Sequence, residues 1–187
     1  MTYVVGDIHG EITKLKNLVK NIKRVDNKAN FIFLGDYINK GENSKEVIDY
    51  LVNLKKSVFL IGNHEYYFLE YIKNGKYKEQ LIKYAKDTTF IDFDMELETI
   101  KEKFYLPYKS FFDNLYPYYI VDNYFISHSG VNPCYAKEDL ESIPLTEFLF
   151  NRYDFFNYSN KIHGKIAVFG HTGFNYPYYD GYKIGLD

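Results

Sequence analysis

Cys134 is the only cysteine among 187 residues, so the chain can form neither an internal disulfide nor a thiolate metal cluster. That scarcity fits a reducing compartment, and a cytoplasmic location is expected. Long apolar runs are also missing. The longest are strand-length pieces such as Phe31 to Leu34, far below the ~18 residues a membrane span needs, so no membrane partner is expected. Nor is there a surplus of positive charge: 23 basic residues face 25 acidic ones for a net charge of -2. A broad basic field for gripping a nucleic-acid polymer is therefore excluded. Tryptophan is absent, and arginine is reduced to Arg24 and Arg152. In a chain that avoids arginine, each one carries information. What is present is ordinary for a folded protein, with 46% apolar and 26% charged residues, enriched in tyrosine and phenylalanine (21 and 16). A length of this order is expected to form a single domain over 1–187.

Along the chain, short β-branched or aromatic runs alternate with helical periodicity. Thr2 to Val5 reads as a buried strand, and Glu11 to Lys23 as a helix with Leu15, Leu18, Val19 and Ile22 on one face. Phe31 to Leu34, Ser44 to Leu54 with Ser44 as N-cap, and Val58 to Ile61 continue the alternation. This β-α-β-α-β order demands parallel pairing through right-handed crossovers, hence an α/β fold. Residues 66–116 read as a variable helical region broken near Gly75, Thr88 and Pro107, with no chemistry of its own. Tyr118 to Val121 and Tyr124 to Ser127 form a hairpin through Asp122-Asn123. A helical piece at Thr146 to Asn151, a strand at Ile166 to Phe169 and a hairpin around Asp180-Gly181 complete the pattern.

Five glycine-bearing polar segments each follow a predicted strand: Gly6-Asp7-Ile8-His9-Gly10, Gly35-Asp36-Tyr37-Ile38-Asn39-Lys40-Gly41, Gly62-Asn63-His64-Glu65, Ser127-His128-Ser129-Gly130 and Gly170-His171-Thr172-Gly173. Parallel strands deliver Asp7, Asp36 and Asn63 to one carboxyl edge, where open α/β sheets bind ligands. Together the segments offer two carboxylates, a carboxamide oxygen and several imidazoles, with no sulfur. That set suits divalent ions, Mn2+ or Fe before Zn2+. A pair of such ions needs a bridging carboxylate, for which Asp36 is the candidate, and would draw in a phosphate dianion. The fifth histidine, His163, between Lys161 and Lys165, reads as a surface residue, and Cys134 as a loop or packing residue. The tyrosines at 66, 67 and 116, 118 and 119 read as core and surface filler.

Taken in order, the five segments resemble the signature blocks of the phosphoprotein phosphatase family within the calcineurin-like metallophosphoesterases, in particular the compact bacterial and phage Ser/Thr protein phosphatases. The resemblance implies sheets packed as a sandwich, flanked by helices, with a dimetal site at the strand ends. It implies Asp7, His9 and Asp36 as ligands of one ion, and Asp36, Asn63, His128 and His171 as ligands of the other. His64 resembles the general acid, which protonates the leaving alkoxide. Arg152 occupies the place of a phosphate-binding arginine, and Lys40 and Asn63 join it at the substrate. The implied activity is hydrolysis of phosphoprotein or small phosphoester substrates by a hydroxide held between the two ions.

Two features depart from that pattern. Asn39-Lys40-Gly41 stands where the family has Asp-Arg-Gly. Asn39 is then expected to orient His64 through its amide oxygen, without a carboxylate's charge, while Lys40 keeps a cation but loses the bidentate fork. Leu186-Asp187 resembles the start of the family's Asp-Thr-Gly block, so the chain is expected to continue past Asp187. Two alternatives accompany the leading reading: a symmetrical dinucleoside tetraphosphatase, a branch that also lacks that aspartate, and a non-catalytic metal-binding interaction module.

Overall fold

Alternation along β2 (Asn30–Phe33) sets the layering. Phe31 and Phe33 face one way, into a core shared with the helices, while Ile32 faces the other, into a smaller core with Leu34, Leu60, Ile126 and Val168. A strand whose residues are apolar on both faces must be covered on both. In the computed structural model, which describes residues 1–187, helices cover one face and a second sheet covers the other.

The first sheet is parallel in the order β1 (Thr2–Val5), β2, β3 (Ser57–Phe59), with Val5 opposite Phe33 and Phe33 opposite Phe59. Its crossovers are α1 (Ile12–Val25) and α2 (Ser44–Val52). The second sheet contains β4 (Tyr118–Val121), β5 (Tyr124–Ser127), β6 (Ile166–Phe169), β7 (Tyr178–Tyr179) and β8 (Lys183–Gly185), in the order β4-β5-β6-β8-β7. Within it β5, β6 and β8 are parallel, and β4 and β7 are antiparallel edges. The expected sandwich of sheets flanked by helices is therefore present.

Some local expectations are corrected. Leu18 is 43% exposed, at the edge of the α1 stripe, whereas Leu15 and Val19 are buried. Ser44 does not cap α2. Asn43 holds the cap position, and the Ser44 hydroxyl is turned inward to other partners. The helical piece expected at 146–151 is a 3-10 turn, Leu145–Phe148, followed by a short helix, Tyr153–Asn157. The region after β3 opens with α3 (Asn63–Asn74), which starts inside the third polar segment and ends at Gly75 in the left-handed conformation. After it come α4 (Lys78–Ala85) and a series of short turns. Their phenylalanines knit the helical core: the Phe104 ring lies 4.5 Å from Phe68 and 4.6 Å from Phe112. His163 is half-buried against Phe125, and its Nε2 has no hydrogen-bond partner, so it is not the surface residue its charged neighbours suggested. No helix is long and apolar enough to cross a membrane.

Candidate metal centre

Each polar segment begins where a strand ends. Asp7 and His9 follow β1; Asp36, Asn39 and Lys40 follow β2; Asn63 and His64 open α3 after β3; His128 follows β5 and His171 follows β6. Parallel pairing within each sheet brings these ends to one rim of the sandwich. The turns are tight, and His9, Asp36 and His171 adopt left-handed backbone angles with φ of 45°, 51° and 63°. Such angles cost a non-glycine residue of order 1–3 kcal/mol, which the surrounding packing must supply. Gly35 precedes Asp36 with φ 105°, a value open to glycine. Gly62 is needed for space, since a Cβ there would run into the backbone nitrogen and Oδ1 of Asp36.

Asp36 lies at the middle. Its Oδ2 is 3.5 Å from Nε2 of His9 and 3.8 Å from Nε2 of His64, and its Oδ1 is 3.5 Å from Nε2 of His128. Asp7 stands 3.8 Å from His9 Nε2 and 3.9 Å from His128 Nδ1, and accepts the backbone N–H of His171 at 3.2 Å. Asn63 Oδ1 is 3.0 Å from His128 Nε2 and 2.8 Å from His171 Nδ1. Two sets of ligand atoms result, each within 4.8 Å: His9, Asp36 and His64, and Asp36, His128 and His171. Asp36 belongs to both. The six residues expected at the metals are thus brought together, and His64 lies beside them.

The chemistry of these atoms fits divalent cations. Burial pushes His9 down to about 4, against the Ile38 carbonyl that accepts from its Nδ1. Burial, reinforced by Arg152, takes His171 to about 4. Burial also holds His128 well below its usual range, so these imidazoles are neutral at pH 7. His128 Nδ1 donates to the Leu34 carbonyl at 2.9 Å, leaving a bare lone pair on Nε2. Burial raises both carboxyls well above their usual range, helped by Asp7 at Asp36 and by Asp187 at Asp7. Lone pairs and crowded carboxylates converge with too few protons among them. One cation already answers this need, for the Lys40 ammonium donates to His9 Nε2 at 2.7 Å.

The cationic residues expected at the substrate flank the centre, Lys40 at His9 and Arg152 with its Nη1 3.0 Å from Thr172 Oγ1, next to His171. Asn39 corrects an expectation. Its amide nitrogen, not its oxygen, meets His64, with Nδ2 2.7 Å from His64 Nδ1. The oxygen is taken by the Thr89 hydroxyl at 2.7 Å. Burial and the nearby His9 depress His64 to about 2.

Three contributors were not identified from the sequence. Glu65 accepts the backbone N–H groups of Asp36, Tyr37 and Gly62 at 2.8, 2.9 and 3.1 Å, fixing the second segment against the third. A glutamate two residues after the metal-type asparagine was the available signal. Thr89 gave none, lying 50 residues from Asn39. The half-buried Asp187 carboxyl is raised by burial, an effect opposed by Lys40 and Arg152, and it in turn raises Asp7.

The model of the calcineurin-like phosphoesterase family matches residues 2–186. A symmetrical bis(5'-nucleosyl)-tetraphosphatase of Coxiella burnetii is 37% identical over 68 residues, 36% of this chain and 23% of the relative. The Serine/threonine-protein phosphatase SIT4 of Candida albicans is 37% identical over 95 residues, 46% of this chain and 30% of the relative. The chain thus matches less than a third of either relative's length. Among solved structures, a cold-active protein-tyrosine phosphatase of a psychrophilic Shewanella superposes with a TM-score of 0.68 at 13% identity, covering 100% of this chain and 72% of that one. This last likeness speaks to the fold.

Proposed function

We propose that the chain, which belongs to the calcineurin-like phosphoesterase family, is a hydrolase that cleaves phosphoesters at the rim around Asp36 with two divalent ions, Mn2+ foremost. Asp7, His9 and Asp36 would hold one ion and Asp36, Asn63, His128 and His171 the other. Bound there, the pair would supply Lewis acidity toward a phosphate oxygen and would lower the pKa of a water toward neutrality. The chain's own groups do the rest. Arg152 and Lys40 bind phosphate oxygens and orient the phosphorus, while His64 presents Nε2 to the leaving oxygen. The carrying observation is that Asp36 lies between the two groups of ligands, its Oδ2 3.5 Å from His9 Nε2 and its Oδ1 3.5 Å from His128 Nε2. The test is hydrolysis of p-nitrophenyl phosphate with and without Mn2+. Metal-dependent turnover supports the reading; an ion-loaded protein without turnover would instead favour a non-catalytic metal-binding module.

Two substrate classes fit this chemistry. A phosphorylated serine or threonine is the first, supported by the likeness to SIT4 over 95 residues. A dinucleoside tetraphosphate is the second, supported by the likeness to the Coxiella protein over 68 residues. They differ in the oxygen that leaves: an alkoxide in one, a phosphate oxyanion in the other. We infer a cytoplasmic location from the scarcity of cysteine.

A further inference from the structure

Beside the candidate centre stands a group of aromatic rings that the hydrophobic interior does not account for. The Tyr84 ring meets His64 edge-on with centroids 5.2 Å apart, and the Tyr67 ring does so at 6.0 Å. Tyr67 in turn lies 5.8 Å from Phe150 and 5.2 Å from Tyr77, while Tyr66 lies 6.0 Å from Phe150 and 5.6 Å from Tyr77. Of the four tyrosines only Tyr67 also packs on the helical core; Tyr66, Tyr77 and Tyr84 are partly exposed and join none of the three cores. Phe150 is 37% exposed. Contiguous surface rings, unlike scattered ones, call for an occupant. The turn from α3 to α4 is bent to complete the group: Tyr77 has φ 64°, a left-handed angle rare for an aromatic residue, and its ring returns onto Tyr66 and Tyr67. Tyr66 and Tyr67, expected as filler, thus belong to a wall.

Both ends of this wall are tied to the site. At one end is His64, which faces the leaving oxygen in the reading above. At the other, Phe150 stands two residues before Arg152. The Asn151 N–H donates to Ser129 Oγ at 3.0 Å and the Ser129 N–H to the Phe148 carbonyl at 2.9 Å, which holds that segment to the loop carrying His128. A substrate whose phosphate meets Arg152 and whose leaving oxygen meets His64 therefore runs its first attached group along Tyr67 and Phe150. We propose that this wall binds the ring of an aryl phosphate monoester, the chemistry of a phosphorylated tyrosine. The proposal rests on the phosphoesterase reading and adds a substrate class to the two named there. A phenolic ring is bonded directly to the leaving oxygen, so it falls within the ~4.5–7 Å between centroids at which aromatic rings attract one another. A nucleobase is held away from the same oxygen by phosphate and ribose, and a serine brings no ring. In the hydrolysis, water oxygen bonds to phosphorus as the bond from phosphorus to the phenolic oxygen breaks, its electron pair leaving with that oxygen. One water hydrogen ends on the phenol and the other on the phosphate.

The test has a binding readout and a turnover readout. Calorimetric titration of the Mn2+-loaded protein compares benzylphosphonate with cyclohexylmethylphosphonate, which has nearly the same size and no aromatic face. The benzyl compound binds at least ~3-fold more tightly, within what an aromatic pair adds beyond buried area. Phe150→Ala and Tyr84→Ala each bring that ratio toward one, and Phe150→Tyr keeps it. In turnover with Mn2+, the kcat/KM of a phosphotyrosine peptide over a phosphoserine peptide of the same sequence falls at least ~3-fold in Phe150→Ala. The difference in leaving oxygen is the same for both proteins, so it drops out of that comparison. Phenyl phosphate beside the phosphotyrosine peptide distinguishes a small aryl ester from a protein substrate. Equal binding of the two phosphonates, or ratios that neither alanine variant moves, overturns the proposal. A preference for ADP over pyrophosphate that the alanine variants abolish, with no preference for the benzyl compound, assigns the wall to a nucleobase and also overturns it. Failure to cleave any phosphoester would instead reject the phosphoesterase reading, and the phosphonate ratio would still decide what the wall binds.

Discussion

Asn63 Oδ1 lies 3.0 Å from His128 Nε2, and neither atom carries a hydrogen. His128 keeps its proton on Nδ1, where Leu34 accepts it. Two buried lone pairs facing one another repel unless a cation lies between them. Divalent ions should accordingly raise thermal stability, by about 2.7 kcal/mol at a hundredfold excess over Kd. His128→Ala should lose most of that increment in a thermal melt with and without Mn2+. An unchanged increment would show that ions bind elsewhere.

The pH dependence of ion binding follows from the carboxylates. Asp36 and Asp7 are raised above the carboxylate range chiefly by burial, Asp36 also by Asp7 and Asp7 also by Asp187, so a dication that binds there competes with protons. A bound dication favours the ionised form and expels them. His9 and His171, brought down to about 4 chiefly by burial, are already neutral and release none. Affinity for Mn2+ should therefore rise with pH and level off once both carboxyls are ionised in the free protein. Calorimetry at pH 6.5 in buffers of different ionisation enthalpy should show net proton release. Zero release would mean that the carboxyls are ionised without the ion.

Gly62→Ala is expected to be costly although the residue is not left-handed. The added methyl would meet Asp36 N and Oδ1 and approach the Glu65 carboxylate. Either Asp36 moves, and ion binding is lost, or the strain costs ~1–3 kcal/mol, as overpacking usually does. Ion stoichiometry and a denaturant melt together detect both. A variant that keeps two ions and full stability would refute the packing described around Asp36.

Arg152→Lys retains a cation but loses the planar fork that can hold two phosphate oxygens. Inhibition by inorganic phosphate should weaken about tenfold, the loss of roughly one charged hydrogen bond. Thr172, which now accepts from Arg152 Nη1, would keep that lysine near the centre. Unchanged inhibition would place Arg152 outside the phosphate site.

The convergence of these side chains on one rim was legible because each follows a strand, and parallel strands end on one side. Asp7, Asp36 and Asn63 required no knowledge of side-chain geometry, only of strand direction. The second sheet was partly legible: the hairpin at Asp122-Asn123 was marked by its turn residues, whereas the parallel pairing of β6 with β8 joins segments whose sequence says nothing of each other. The orientation of Asn39 was not legible at all. An asparagine offers an acceptor and a donor of nearly the same shape, and the residue that meets it, Thr89, is brought close only by helical packing. Ser44 was misread for a related reason, since a hydroxyl at a helix start caps as readily as it turns inward.

The central claim is that Asp36 is shared by two ions. Anomalous diffraction from Mn2+-loaded crystals tests it most directly. Two peaks separated by ~3.5 to 4 Å, with an Asp36 oxygen in contact with each and His9 and His171 on opposite sides, are the predicted result. A single peak, or two peaks with Asp36 touching only one of them, would contradict the claim.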